Sequence, residues 1–307
     1  MRMRVSARRA VGVAVVAAGL GWAPASAQRP PNGLKVHISV DMEGLAGTVT
    51  ADQLGPNGFE YGRFREFMTR EALAAVAGAK EAGATEIVVA DSHGNGENLL
   101  IEQFPPDVRI VRSWPRPLRM MAGIDETFDA AVFIGYHAST HNPQGVRAHT
   151  FSSATLTRVA LNGVEMSEGS WNAATAGHFG VPVVMMSGDD AAIAEVRRAL
   201  GDIEAVETKQ SLGFHAANTL TPQAADAAIQ KAVRAALAGR DTFKPYVVTA
   251  PVTVDMSFKN YTQAQVLALL PFFERTSSHS IRFRAKDMRE ANDIMGFIGE
   301  YRNDLTP

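Results

Sequence analysis

Leu34-Lys35-Val36-His37-Ile38-Ser39-Val40-Asp41-Met42-Glu43-Gly44 runs from an apolar segment of strand length straight into two carboxylates and a glycine. A short, bounded run rich in β-branched residues reads as a strand buried on both faces, the kind found inside parallel sheets. The first strand is thus Leu34–Val40, and the same construction recurs downstream. Residues 86–90 form a second apolar strand followed by Asp91-Ser92-His93-Gly94, and residues 130–135 form another, followed by Tyr136-His137. Between them, residues 61–82 carry helical periodicity that stops at Gly83, and Val108–Val111 is a further strand. Strands alternating with helices predict an α/β fold, a mostly parallel sheet sandwiched by helices.

Further along, Asn162-Gly163 separates two arms of alternating apolar residues and predicts a hairpin over 157–166. A helix over 168–179, a buried strand over 181–186 and a helix over 189–200 continue the alternation. Beyond about residue 210 the pattern changes. An Ala-rich helix Pro222–Ala238 precedes a strand pair or long strand over 246–258, a helix over 262–270, a strand over 280–283 and a helix over 286–301. The expected organisation is an α/β domain over 34–210 and a smaller C-terminal α+β portion over 211–307.

The chain starts with Arg2, Arg4, Arg8 and Arg9 and no acid, then an apolar run over 10–22, then Ala25-Ser26-Ala27. That order is the one a secretory signal peptide requires, so residues 1–27 are expected to be removed on export to a bacterial periplasm. The apolar run is shorter than the ~20 residues a membrane span needs. Arg8-Arg9 leaves both the general and the twin-arginine export routes open, and residues 28–33 read as a linker. No later stretch is long and apolar enough to span a membrane. Of the 307 residues, 46% are hydrophobic and 20% charged, too apolar for a disordered chain. With the four leader arginines removed from 30 basic residues, 26 remain against 32 acidic ones, so no basic surplus points to nucleic acid. Cysteine is absent, which excludes a disulfide scaffold, an iron–sulfur site and a thiol nucleophile. Any metal must be held by His, Asp and Glu.

The polar clusters at Asp41 and Glu43, at Asp91 to His93 and at Gly135 to His137 all follow buried strands. In an open α/β sheet the carboxyl ends of parallel strands line the ligand crevice, so three distant clusters converge on one edge. Asp41 and Glu43 are two apart and share a face of an extended segment. Two adjacent carboxylates repel unless a cation or proton neutralises them, and with imidazoles arriving from neighbouring strands a divalent metal is the simplest neutraliser. Glu168 opens the next helix and offers one more carboxylate; alone it would read as a first-turn acid. Nitrogen and oxygen ligands without sulfur suit zinc or manganese. One carboxylate bridging two ions is the arrangement used for hydrolysis. His37 reads as a core group, Asp189 and Asp190 as ligand-orienting residues or a helix cap, and Gly44 and Gly47 as points of close backbone approach. His178, His215 and His279 fall outside the edge.

Ser39-Val40-Asp41-Met42-Glu43-Gly44 resembles the S-x-D-x-E-G signature of the zinc-dependent D-aminopeptidases of the DppA type. Asp91-Ser92-His93, Gly135-Tyr136-His137, Gly145-Val146 with His149, Glu168 with Asn172-Ala173, Gly188-Asp189-Asp190 and Ala285-Lys286-Asp287-Met288 follow in the family's order, so the resemblance runs from about Leu34 to Phe297. It implies a dinuclear zinc site in which Asp41 bridges, Glu43 and His93 complete one half, and His137 and Glu168 the other. It also implies that His149 is the catalytic residue beside the metals, with His141 in the same loop as the alternative, and that the chain assembles as a homo-oligomer, a decamer around a chamber. The expectation is an exported metallo-aminopeptidase acting on short peptides, plausible substrates being those with N-terminal D-amino acids. Two other classes are compatible with the residues themselves. One is a two-metal phosphoesterase or deacetylase; the other is a periplasmic solute-binding protein without catalysis.

Overall fold

The apolar run opening at Leu34 becomes β1 (Leu34–Val40), with residues 36–40 wholly buried, as an uninterrupted hydrophobic strand demands. The structure is a computed structural model that describes residues 33–301; the leader over 1–27, residues 28–32 of the linker and residues 302–307 lie outside the described residues. β1 pairs in parallel with β2 (Ala84–Asp91) on one side and, on the other, with β4 (Ala130–Tyr136). β3 (Val108–Val111), β7 (Val183–Asp189), β8 (Glu204–Gly213) and β9 (Ala216–Thr219) complete a seven-stranded sheet of order β3-β2-β1-β4-β7-β8-β9. Every pair is parallel except the last. Alternation along the strands divides the core. Val36, Ile38 and Val40 join α1 (Tyr61–Glu81) and α4 (Pro222–Ala238) on one face. Val88, Ala131 and Phe133 join α2 (Glu168–His178) and α3 (Asp190–Leu200) on the other.

A second sheet is antiparallel throughout. Asn162 and Gly163 both take positive φ, 50° and 83°, and turn β5 (Leu156–Leu161) back into β6 (Val164–Glu165). β10 (Val252–Phe258), β11 (Glu274–Arg275) and β12 (Ser280–Ala285) extend it in the order β11-β12-β10-β5-β6. α5 (Tyr261–Leu267) and α6 (Met288–Glu300) cover it. Trp171 of α2 is completely buried in this core and donates from Nε1 to Asn292 Oδ1 at 3.0 Å. One helix thus ties both sheets together and carries Glu168 at its first position.

The architecture is the expected one, a mostly parallel sheet covered by helices with an antiparallel portion beside it. Three details differ. β8 and β9 fill a stretch in which the sequence analysis placed no element, because the inward residues of β8 include polar Thr208 and Lys209. The strand expected from residue 246 starts only at Val252; Pro251 has no N–H to contribute to a ladder. Strands are also shared across residue 210: β8 and β9 belong to the large sheet and α4 packs on α1, whereas β5 and β6 join the strands of the C-terminal portion. Among the described residues, no helix is long and apolar enough to cross a membrane.

Candidate metal centre

The strand order reverses at β1: the chain proceeds outward through β2 and β3, then crosses back to β4. Such a switch point opens a crevice at the carboxyl ends of the central strands. Asp41 and Glu43 follow β1, His93 follows β2, His137 follows β4, and Glu168 comes in at the start of α2. Gly44 makes the convergence possible: its N–H donates to Gly135 O at 2.7 Å, and a side chain there would collide with the backbone of Gly135 and Tyr136.

Asp41, Glu43, His93, His137 and Glu168 are all buried, with exposures of 2–6%. His93 Nδ1 lies 2.9 Å from Glu43 Oε2 and 3.1 Å from Asp41 Oδ1. His137 Nε2 lies 3.4 Å from both Asp41 Oδ2 and Glu168 Oε1. His149 stacks on His137 with ring centroids 4.1 Å apart and brings its Nε2 to 3.7 Å from Glu168 Oε1 and 4.0 Å from Glu43 Oε1. The three imidazoles have a common device. In each, the nitrogen turned away from the carboxylates donates to a backbone carbonyl: His93 Nε2 to Leu54 O at 2.7 Å, His137 Nδ1 to Ala138 O at 3.0 Å and His149 Nδ1 to Arg147 O at 2.8 Å. That bond fixes the tautomer and turns a lone pair toward the acids. In the neutral site every group in the middle is therefore an acceptor. Asp41 Oδ2 and His137 Nε2 are buried without any hydrogen-bond partner among the described residues.

The electrostatics express the same shortage of positive charge. Burial, reinforced by Glu43, pushes the Asp41 carboxyl up to about 6. Burial would raise Glu43 too, but His93 outweighs it and holds the group well below the usual carboxylate range. Burial opposes charge on His93 and His137, yet Glu43 beside the first and Glu168 beside the second hold both well above the ordinary imidazole value. His149 is lowered, by burial and by its neighbour His137. Either protons or metal ions must balance these carboxylates. Three carboxylates with neutral imidazole lone pairs, oriented by backbone carbonyls, form a donor set that fits zinc. Two overlapping groups have the spacing to hold a metal ion: Asp41, Glu43 and His137, and His137, His149 and Glu168.

The other sequence candidates take different places. His141 is half-exposed and paired with Glu165 at 3.1 Å, away from the cluster. Asp91 accepts from the backbone of Leu99 at 2.8 Å and from Asn98, which shapes the loop beyond His93. Asp189 caps α3 through Ala192 N at 2.7 Å and holds the His149 loop through Val146 N at 2.6 Å, so it is both a cap and a support. His37 is a neutral core group: burial lowers it to about 4 and its Nε2 meets Ala122 O. Sequence reasoning missed Lys209, whose buried ammonium donates to the carbonyls of Glu43, Leu45 and Thr48 and so holds the loop carrying the first two acids. It also missed Arg119, in the wall of the cavity above the cluster.

A switch-point crevice holding buried carboxylates and oriented imidazoles defines a metal-dependent hydrolase. Residues 34–297 match the model of the D-aminopeptidase family of peptidases. A D-aminopeptidase of Bacillus subtilis (strain 168) is 33% identical over 263 residues, covering 85% of this chain and 95% of that protein. The solved structure described as the Zn-dependent D-aminopeptidase DppA from Bacillus subtilis, a self-compartmentalizing protease, superposes with a TM-score of 0.83 at 32% identity, over 87% of this chain and 97% of its own. The chain belongs to the D-aminopeptidase family, and its class is metallo-aminopeptidase, which selects the peptidase reading over the phosphoesterase and solute-binding ones.

Proposed function

We propose that this chain is a two-zinc aminopeptidase that releases N-terminal D-residues from short peptides. The observation that carries the reading is the cluster of buried acids faced by three imidazoles whose outer nitrogens are tied to carbonyls, in which Asp41 Oδ2 and His137 Nε2 have no hydrogen-bond partner among the described residues. Asp41 stands between the halves, Oδ1 beside His93 and Oδ2 beside His137. Glu43 and His93 would hold one ion, His137 and Glu168 the other, with Asp41 bridging; the same oxygen and nitrogen set accepts manganese. Bound zinc would lower the pKa of water at the site toward ~7 and polarise the scissile carbonyl.

The chain's own residues supply the rest. His149 keeps its Nε2 lone pair toward the centre because Nδ1–H is committed to Arg147 O, and its lowered pKa leaves it neutral and ready to accept a proton from the attacking water. The imidazolium so formed passes the proton to the leaving amine. Phe151 N donates to Glu168 Oε1 at 2.6 Å and keeps that carboxylate in place. The cavity over these residues measures about 240 Å³.

The preference for D-residues is supported by the names of the relatives, and export to the periplasm, with Gln28 as the new amino terminus, by the leader pattern. A homo-oligomer, decameric by the family resemblance, is supported by the self-compartmentalizing description of the Bacillus structure. Paired D- and L-aminoacyl dipeptides, assayed with and without chelator and with metal counted per chain, test the function. Chelator-sensitive release of the D-residue with two zinc ions per chain is expected. Release that chelator leaves unaffected, or equal release of both enantiomers, refutes the corresponding part.

A further inference from the structure

Arg119 lines the same cavity as Asp41, Glu43, His149 and Glu168, and its charge is almost unused. A guanidinium has five N–H donors in a planar fork. Among the described residues the Arg119 guanidinium donates one hydrogen bond, from Nη1 to Met295 O at 3.2 Å, while its Nε is buried without a partner. No carboxylate of the described residues lies within ion-pair distance; Glu300 and Glu168 act on it only through their field. The group is held in position by aromatic faces, Phe151 at 5.2 Å and Trp114 at 5.9 Å from its guanidinium carbon. Backbone geometry adds a second, independent sign. Leu118, Arg119 and Phe151 sit at positive φ, 58°, 52° and 60°, an uncommon conformation for residues with a Cβ that concentrates at ligand sites.

We propose that Arg119 receives the free carboxylate of a short peptide whose scissile bond lies at the acid cluster, and so makes the enzyme selective for substrates that end within the cavity. The inference rests on the aminopeptidase reading and adds the other end of the substrate to it. A short peptide has one charge at each terminus. The ammonium end suits the acidic cluster, and the carboxylate end matches the guanidinium fork, which takes a carboxylate by two parallel hydrogen bonds.

The test uses the zinc-loaded full protein with D-alanylglycine and D-alanylglycinamide, which differ only in the terminal charge. The wild type is expected to favour the free acid by about tenfold to a hundredfold in kcat/KM, the range of a charge-assisted hydrogen-bonded pair. Arg119→Gln should bring that ratio close to one, and Arg119→Lys, which keeps charge without the fork, should keep part of it. The ratio is read within each variant, so loss of overall activity does not obscure it, and the Lys variant decides if the Gln variant fails to fold. A wild type that hydrolyses both without preference, or an unchanged ratio in the variants, overturns the role of Arg119 alone. Hydrolysis of neither by the wild type overturns the aminopeptidase reading and this inference with it.

Discussion

The loop over residues 41–48 takes part in two buried polar clusters that are neutralised in opposite ways. In one, the ammonium of Lys209 donates to the carbonyls of Glu43, Leu45 and Thr48, and the chain satisfies the charge entirely from its own atoms. In the other, the carboxylates of Asp41, Glu43 and Glu168 meet imidazole lone pairs, and two buried atoms are left with no partner. A buried charge without compensation is costly, so the first cluster is a solution and the second a demand. The same few residues of backbone support both. The fold can place a cation where only structure is at stake, and at the sheet edge it leaves the positive charge to be supplied from outside.

The harshest way to break this contrast is to remove the central acid. Asp41→Ala takes away the group shared by both halves of the centre, and zinc per chain should fall to near zero. Activity should fall at least ~10³-fold, since the metals contribute several kcal/mol to the barrier. His93→Ala should chiefly deplete one ion. Full zinc occupancy of the Asp41 variant by elemental analysis would refute the shared-ligand arrangement.

Next in size is the proton-transfer step. His149→Ala is expected to keep both ions, its Nε2 standing farther from the acids than the nearest nitrogens of His93 and His137, and loss of an ion would instead place it among the ligands, as its spacing with His137 and Glu168 allows. Its kcat should drop ~10²–10⁴-fold, the usual contribution of a general acid–base group. A near-normal kcat at matched zinc content would remove His149 from the reaction.

The self-sufficient cluster is probed by Lys209→Met, which leaves its carbonyl partners buried without their donor. Each unsatisfied group costs about 1–3 kcal/mol, and the apolar replacement offsets part, so a net loss of roughly 3 kcal/mol is expected in urea unfolding. Because the loop carries Asp41 and Glu43, zinc affinity should weaken too. Unchanged stability would mean that the loop is held by its other contacts, such as Thr208 Oγ1 to Gly44 O at 2.6 Å.

An effect seen only against pH belongs to Glu71, which accepts from Ala46 N at 2.9 Å and is raised by burial to about 8. A carboxyl whose folded pKa is raised binds its proton more tightly folded than unfolded. Its contribution is therefore complete below the unfolded value of about 4.5 and is lost as pH rises through about 8. Between those limits the wild type should lose ~1.4 kcal/mol per pH unit relative to Glu71→Gln, which carries no such proton. Parallel pH profiles of the two unfolding free energies would show no divergence if Glu71 were ionised throughout.

How much of this was legible in the sequence follows from what each cluster is made of. Strand ends announce themselves: apolar runs stopping at Asp41, Asp91 and Tyr136-His137 placed the sheet edge and most of the acids and imidazoles on it. Lys209 could not be read in the same way, since a Lys inside Glu207-Thr208-Lys209-Gln210 looks like a solvated stretch, and only the fold shows that β8 turns it inward. Arg119 belongs to no local pattern; its position depends on a short turn at positive φ and on aromatic rings from elsewhere in the chain. Glu71 is one of several charged residues of α1, and nothing in the local sequence marks it as belonging to the buried side of the helix. The clustered acids and imidazoles sit at the strand ends that topology predicts, while the groups that hold them are chosen by tertiary contact.

The family resemblance names His149 and leaves His141, in the same loop after β4, as the alternative. The structure separates them by the company each keeps. His149 is largely buried, stacked on His137, with its outer nitrogen tied to a carbonyl. His141 shares a half-exposed ion pair with Glu165, both side chains 39% accessible. Exposed pairs of this kind contribute only ~0.2–1 kcal/mol, because water competes for both partners. His141→Ala should therefore change unfolding free energy by less than about 1 kcal/mol and leave kcat within about twofold, with zinc content unaltered. It is the mildest of these variants and the sharpest control, since it alters the same loop without entering the cluster around Asp41. A loss of kcat in His141→Ala equal to that in His149→Ala, at full zinc occupancy, would mean that the whole loop rather than one imidazole governs the proton transfer.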